Sequence, residues 1–280
     1  MDPVNSPLQA EIILIGNELL IGKIVDTNGQ WLIKRLLEHG CFVTRITTIP
    51  DSVDIIAEAL RDAVARVPRF ILTSGGLGPT FDDMTLEGVA KGLGVPLEQD
   101  QEALEMIRQR YAKMQNVLTP HLLDKVMTHA RLKMCYLPKG SIALPNPEGA
   151  APGVQYDVPG QHTTVFCMPG IPRELMSIYD AGIHPQIAEE HVDFFDEAFF
   201  SHGVGESDVA DYVVQLMGEI PGIWIKSHPK GRRGQYPIVE WQVTAFGSAD
   251  MKDSVDQAIA AVKAEVLRLG GQLSDQDNFE

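Results

Sequence analysis

The chain has 280 residues, a formal net charge of −15 and a hydrophobic fraction of 44%. That fraction supports a real core, no apolar run reaches the ~20 residues of a membrane span, and the acidic balance disfavours nucleic acid and anionic membrane as partners. Cys41, Cys135 and Cys167 are too few and too scattered for a disulfide framework or a paired-Cys zinc site, and fit a reducing cytoplasm. The eight histidines show no zinc-enzyme spacing.

Residues 1–9 hold two prolines and no basic stretch, which predicts a disordered lead-in and not a signal peptide. Ala10 to Ile15 is nearly all apolar and reads as a strand buried on both faces. The segment Asn17 to Asn28 is a first candidate site loop, carrying Asn17, Glu18, Asp26 and Asn28. A helix period follows through Trp31, Leu32, Arg35, Leu36 and His39 and stops at Gly40. Cys41 to Thr48 reads as a strand, Asp51 to Arg66 as a helix and Phe70 to Thr73 as a further buried strand.

That third strand delivers Thr73-Ser-Gly-Gly-Leu-Gly-Pro-Thr-Phe-Asp-Asp-Met-Thr85. Gly75, Gly76 and Gly78 let backbone N–H groups approach a ligand and converge on phosphate oxygens. Asp82 and Asp83 cannot meet phosphate directly, but they can hold a divalent cation that does, or position a water. The plainer alternative is a tight turn whose aspartates cap the next helix.

Strand and helix alternate up to this point, which predicts an α/β fold: a mostly parallel sheet with helices on both faces. In such sheets ligands bind at the carboxyl ends of the strands, so the Asn17–Asn28 and Ser74–Thr85 loops fall on one edge. Asp100 to Gln115 and Pro120 to Arg131 read as helices, and Leu137 to Gly140 as a turn. Ala143 to Gly153, dense in Pro and Gly, reads as a surface loop. Thr163 to Met168 is a strand, and Pro169 to Leu175 turns it into a helix that offers Arg173 as the one cation of a third loop.

The pattern changes near residue 190. Strands at Phe194–Ser201, Ile223–Ser227 and Ile238–Ala245 and helices after Ser207 and Asp253 make a small α+β unit of βαββα type. The boundaries expected are 10–190 for the first domain, 191–272 for the second and 273–280 for a frayed tail. Between two of these strands, Lys226 to Arg233 is basic, either a solvated hairpin loop or a flap for an anionic ligand.

Five motifs in order carry a family resemblance: Gly16-Asn-Glu-Leu-Leu-Ile-Gly-Lys23, Val25-Asp-Thr-Asn28, Gly75-Gly-Leu-Gly-Pro-Thr-Phe-Asp-Asp-Met-Thr85, Leu144-Pro-Asn-Pro147 with Ala151-Pro-Gly153, and Met168-Pro-Gly-Ile-Pro-Arg-Glu-Leu175. Together they resemble the competence/damage-inducible protein A (CinA) family, whose first domain has the molybdopterin-binding MoaB/MogA-like fold. The resemblance implies metal-dependent hydrolysis of ADP-ribose or a related nucleoside diphosphate compound. Adenylyl transfer to molybdopterin, or nucleotide binding without turnover, are the alternatives. Longer family members add a nicotinamide mononucleotide deamidase domain, and the chain ends before such a domain would begin, so deamidation is not expected. Asn17 stands where many bacterial members have Thr, a form that points to a stand-alone archaeal-type protein.

The expected site follows. Ser74, Gly75, Gly76, Gly78 and Thr80 cradle phosphates, with Asn17, Asn28, Asn146 and Arg173 as further nucleotide contacts. Asp82, Asp83 and Asp26 hold a divalent metal ion, Mg²⁺ or similar, with a monovalent cation as a second candidate cofactor. One of Asp82, Asp83, Asp26 and Glu18 acts as base. The expected partners are a small-molecule nucleotide or pterin and further copies of the chain in a homo-oligomer.

Overall fold

The computed structural model describes residues 7–114 and 125–274. The chain divides into two compact units: Leu8–Leu37 with Cys41–His191, and Val192 onward with Glu38–Gly40.

The first unit is built on a six-stranded sheet. Its strands are β1 (Leu8–Ile15), β2 (Cys41–Ile49), β3 (Phe70–Ser74), β6 (Ile142–Leu144), β7 (Gly153–Asp157) and β8 (Thr164–Met168), and β4 (Leu97–Gln99) and β5 (Tyr136–Pro138) form a separate antiparallel ribbon. The spatial order is β2-β1-β3-β8-β7-β6. Pairs among β2, β1, β3 and β8 are parallel, and β7 and β6 are antiparallel additions. The sheet is therefore mixed and mostly parallel.

Period-two alternation sends neighbouring strand residues to opposite faces. On β1, Ile13 and Ile15 join Ile56, Leu60 and Val89 of the helices Val53–Ala65 and Thr85–Leu93. Ala10, Ile12 and Leu14 join Leu32 and Leu36 of the helix Asn28–Leu37, and Leu175 and Ile178 of the helix Pro172–Ile178. Both faces are thus covered, and this is why β1 and β3 read as continuous apolar runs.

Several expectations need correction. Leu8 and Gln9 belong to β1 and pair with Cys41 and Phe42, so the lead-in does not extend to residue 9. Residues 1–6 lie outside the described residues. The Asn17–Asn28 loop contains a short helix, Asn17–Leu20. The Pro/Gly-rich stretch is bounded by two strands, because Leu144 pairs with Gly153. Of the helix expected at Pro120–Arg131, the part up to residue 124 lies outside the described residues; a short helix is found at His129–Lys133.

The second unit is a four-stranded antiparallel sheet of order β10-β11-β9-β12, from β9 (Asp193–His202), β10 (Ile223–Arg233), β11 (Tyr236–Gly247) and β12 (Gln272–Ser274). Val209, Val213 and Leu216 of the helix Glu206–Glu219 and Val255, Ala258 and Val262 of the helix Met251–Arg268 share its core. Trp241 is buried there and satisfies its indole N–H on Ser201 Oγ at 2.8 Å. Gln272 to Ser274 pair with His202 to Phe200 as a fourth strand, so Leu273 and Ser274 are strand where a frayed tail from residue 273 is expected from the sequence. Lys226 to Arg233 is likewise strand, the outer part of a long hairpin and not a loop between strands.

Candidate functional site

The carboxyl ends of β1, β3 and β8 open onto a cleft of about 730 Å³. Three loops meet there through one side chain. Asn28 is 7% exposed, and its Nδ2 donates to Ser74 Oγ at 2.9 Å and to the Gly170 carbonyl at 2.8 Å. The first and second candidate loops and the strand-to-helix loop after β8 therefore form one wall.

The glycines of the second loop are required by space as well as by dihedral angle. Gly75 has φ +114°, and a Cβ there would lie 2.0 Å from the Ile15 carbonyl oxygen. At Gly76, φ is +64° and a Cβ would lie 2.3 Å from Thr85 Oγ1. Thr85 Oγ1 donates to the Gly75 carbonyl at 2.7 Å and locks the turn. The Gly75 N–H is spent on the Met168 carbonyl at 2.9 Å. Among the described residues the N–H groups of Gly76, Leu77 and Gly78 meet no acceptor, so the N–H groups left open by the turn begin one residue later than expected.

Asp82 and Asp83 are both tied to Thr80. Asp83 Oδ2 accepts from the Thr80 N–H at 2.7 Å and from Thr80 Oγ1 at 2.6 Å, and its carboxylate rests on Gly78. Thr80 Oγ1 also lies 2.5 Å from Asp82 Oδ1. This bond, followed by a backbone N–H, holds the Asp82 carboxyl below its ordinary range. Lys133 fixes the other side of the turn by donating to the Thr80 carbonyl at 2.9 Å. Asp26 accepts from the Gly29 N–H at 3.0 Å and so caps the helix Asn28–Leu37, while the Glu18 carboxylate lies against Gly16.

Of the residues expected from sequence, the cleft gathers Glu18, Asp26, Asn28, Ser74, Gly75, Gly76, Gly78, Thr80, Asp82 and Asp83. Three do not line it. Asn17 is exposed, and its N–H is held by Asp51 Oδ2 at 2.8 Å. Arg173 is exposed, because it follows Pro172 on the outward side of the helix Pro172–Ile178; its neighbour Glu174 takes the cleft position instead. Asn146 stands behind the wall and organises it. Asp51, Glu148 and Glu174 also line the cleft and were not expected there. Glu174 stands inside the Met168–Leu175 motif and Glu148 directly follows another, whereas Asp51 lies near no motif and left no signal.

The electrostatics are one-sided. Among the described residues the lining includes the acidic residues Glu18, Asp26, Asp51, Asp82, Asp83, Glu148 and Glu174, and no Lys, Arg or His. Among the described residues no group of three His, Cys, Asp or Glu side chains is placed to hold a metal by itself, and the expected set Asp82, Asp83 and Asp26 is not such a group. Carboxylates such as these are the ligand type that Mg²⁺ takes, one or two at a time together with ligand phosphates and several waters. The cysteines offer no nucleophile: all three are buried, and burial raises the Cys41 and Cys167 thiols to about 12.

Residues 11–189 match the family described as "Probable molybdopterin binding domain". The chain belongs to that family. A crystal structure of the protein CinA from Thermoplasma acidophilum, itself of unknown function, is 38% identical with a TM-score of 0.55, covering 64% of this chain and 98% of that one. The CinA resemblance of the motifs is thereby shown for the molybdopterin-binding domain. Relatives extend over both units. A protein of Sulfurisphaera tokodaii is 37% identical over 94% of this chain and 97% of its own length, and one of Saccharolobus solfataricus is 39% identical over 92% and 90%. No helix among the described residues is long and apolar enough to cross a membrane.

Proposed function

We propose that this molybdopterin-binding-domain protein binds a nucleotide diphosphate as its divalent metal complex and hydrolyses the phosphoanhydride, with ADP-ribose as the leading substrate. The observation that carries this reading is the pairing, among the described residues, of N–H groups at Gly76–Gly78 that meet no acceptor with a cleft lined by acids and by no basic side chain. A diphosphate entering such a cleft uncompensated would meet strong repulsion. A divalent ion, held by Asp82 or Asp83 and by the ligand's own oxygens, would supply the missing positive charge and polarise the phosphorus.

The chain's residues do the rest. The Gly76–Gly78 N–H groups hold the phosphate oxygens. Asn28 and Ser74 keep the three loops in register around them. A cleft carboxylate takes the proton of the attacking water, and Asp82, which lines the cleft and keeps acceptor sites beyond its contact with Thr80, is the candidate. The test is incubation with ADP-ribose and Mg²⁺, following AMP and ribose 5-phosphate. Chelation by EDTA is expected to abolish turnover, and turnover that survives chelation would remove the metal from the reading.

The family match favours a second reading, in which the ligand is a pterin diphosphate and the reaction is adenylyl transfer in cofactor assembly. Release of pyrophosphate from ATP only when a molybdopterin acceptor is present, with the adenylyl group passing to the pterin phosphate, would select it. Association into a homo-oligomer belongs to the same expectation and is read by light scattering.

A further inference from the structure

Glu174 is half-buried in the first turn of its helix and lines the cleft. Its placement is enforced from 28 residues away. Asn146 Nδ2 donates to Glu174 Oε2 at 2.8 Å and to the Ala151 carbonyl at 2.7 Å. Asn146 Oδ1 accepts from the Gly149 N–H at 2.7 Å and from the Glu148 N–H at 3.2 Å. One amide side chain thus spends its whole hydrogen-bonding capacity on fixing this carboxylate and the loop beside it. Arg110 clamps the same loop from outside, donating to the carbonyls of Pro147 and Glu148. The carboxylate rests directly on Gly149, where a Cβ would lie 1.8 Å from Oε2.

A surface carboxylate does not need such support, and a carboxylate cannot face phosphate oxygens without cost. It keeps unused acceptor sites after its bond to Asn146. What it can receive is a hydrogen-bond donor. We propose that Glu174, positioned by Asn146 across Gly149, is a specificity-determining residue that accepts hydrogen bonds from hydroxyl or amino groups on the non-phosphate part of the ligand. The proposal rests on the diphosphate reading of the cleft and divides it. The phosphates belong to the Gly76–Gly78 nest, and the donor-bearing half, a sugar diol or a pterin edge, belongs to Glu174.

The experiment is titration calorimetry in Mg²⁺ with three probes: ADP-ribose, a hydroxymethylpterin diphosphate and inorganic pyrophosphate. The proteins are the full chain and its Glu174→Gln and Asn146→Ala variants, each checked by thermal melt. Glu174→Gln preserves the shape and can still accept from Asn146, so loss of fold is not a confounder. Both variants are expected to lose roughly tenfold or more in affinity for one donor-bearing probe, and which probe suffers tells the sugar from the pterin. Pyrophosphate, which carries no such group, is expected to bind all variants alike. Equal losses for all three probes would overturn the proposal and make Glu174 part of the metal or phosphate site. Unchanged affinities throughout would overturn it too and leave Glu174 as wall. If the unaltered protein takes none of the probes, it is the diphosphate reading itself that fails.

Discussion

The Asn28 side-chain amide donates to the Ser74 hydroxyl oxygen at 2.9 Å, across 46 residues of sequence. Through the same nitrogen it also holds the Gly170 carbonyl at 2.8 Å, so one amide joins the ends of three parallel strands. Asn28→Leu keeps the bulk and removes both donors, leaving a buried carbonyl and hydroxyl less well satisfied. The expected cost is about 1–3 kcal/mol, read as a lowered urea midpoint. A midpoint equal to that of the unaltered protein would show that the loops are held by something else.

Asp82 and Asp83 are adjacent but are not expected to behave alike. Asp83 closes the turn on the Thr80 N–H and hydroxyl, whereas Asp82 is exposed and meets the hydroxyl and a backbone N–H without closing the turn. Asp83→Asn is expected to lower both the melting temperature and ligand binding. Asp82→Asn is expected to leave the melting temperature nearly unchanged while cutting metal-dependent turnover by roughly a hundredfold or more, the margin of a lost general base. Thermal melts and ADP-ribose hydrolysis on both variants check the division. If Asp82→Asn leaves turnover intact, Asp82 is not the base.

The Asp82 titration gives an independent reading of the same turn. Its folded value lies below the ordinary 3.8, with the Thr80 hydroxyl as the first cause. A lowered carboxylate contributes stability above its unfolded value, and that contribution is lost as pH falls through the folded one. Thr80→Val should therefore move the Asp82 titration upward toward the ordinary range, followed by carbon-detected NMR of the carboxyl. A titration that stays low would assign the effect to the backbone N–H instead.

Chain order alone carries much of this arrangement. Parallel strands joined by helices put every strand-to-helix loop on one edge, so the meeting of Asn28, Ser74 and Gly170 follows from alternation plus apolar runs. The glycine nest is legible for the same local reason, since positive φ at Gly75 and Gly76 belongs to the turn itself. Other features leave no local trace. β5 and β6 have three residues each, too few to show a period, and β6 sits in a stretch whose prolines and glycines read as loop. Asn146 enters as a ligand contact only through the family resemblance, since its segment reads as a surface loop; the tertiary partner, Glu174, shows that the turn faces inward. Arg173 and Glu174 are neighbours, and which of them reaches the cleft depends on the rotation of a short helix that packing decides.

Gly149 offers a test of that inward-facing turn by coupling. A Cβ at this position would lie 1.8 Å from Glu174 Oε2 and 2.5 Å from Asn146 Nδ2, so Gly149→Ala must displace the carboxylate, the amide or the loop. The single variant is expected to be destabilised by about 1–3 kcal/mol, the usual range for overpacking. In a Glu174→Ala background the closest obstacle is gone, while Asn146 still crowds the new methyl group. The Gly149→Ala cost should then fall, with an interaction energy of about 0.5–3 kcal/mol between the two sites, as for residues in direct contact. Chemical denaturation of the two single variants and the double variant measures it. Strict additivity would mean that the loop absorbs the methyl group by moving away from Glu174, and the carboxylate would then not be standing on Gly149 in solution.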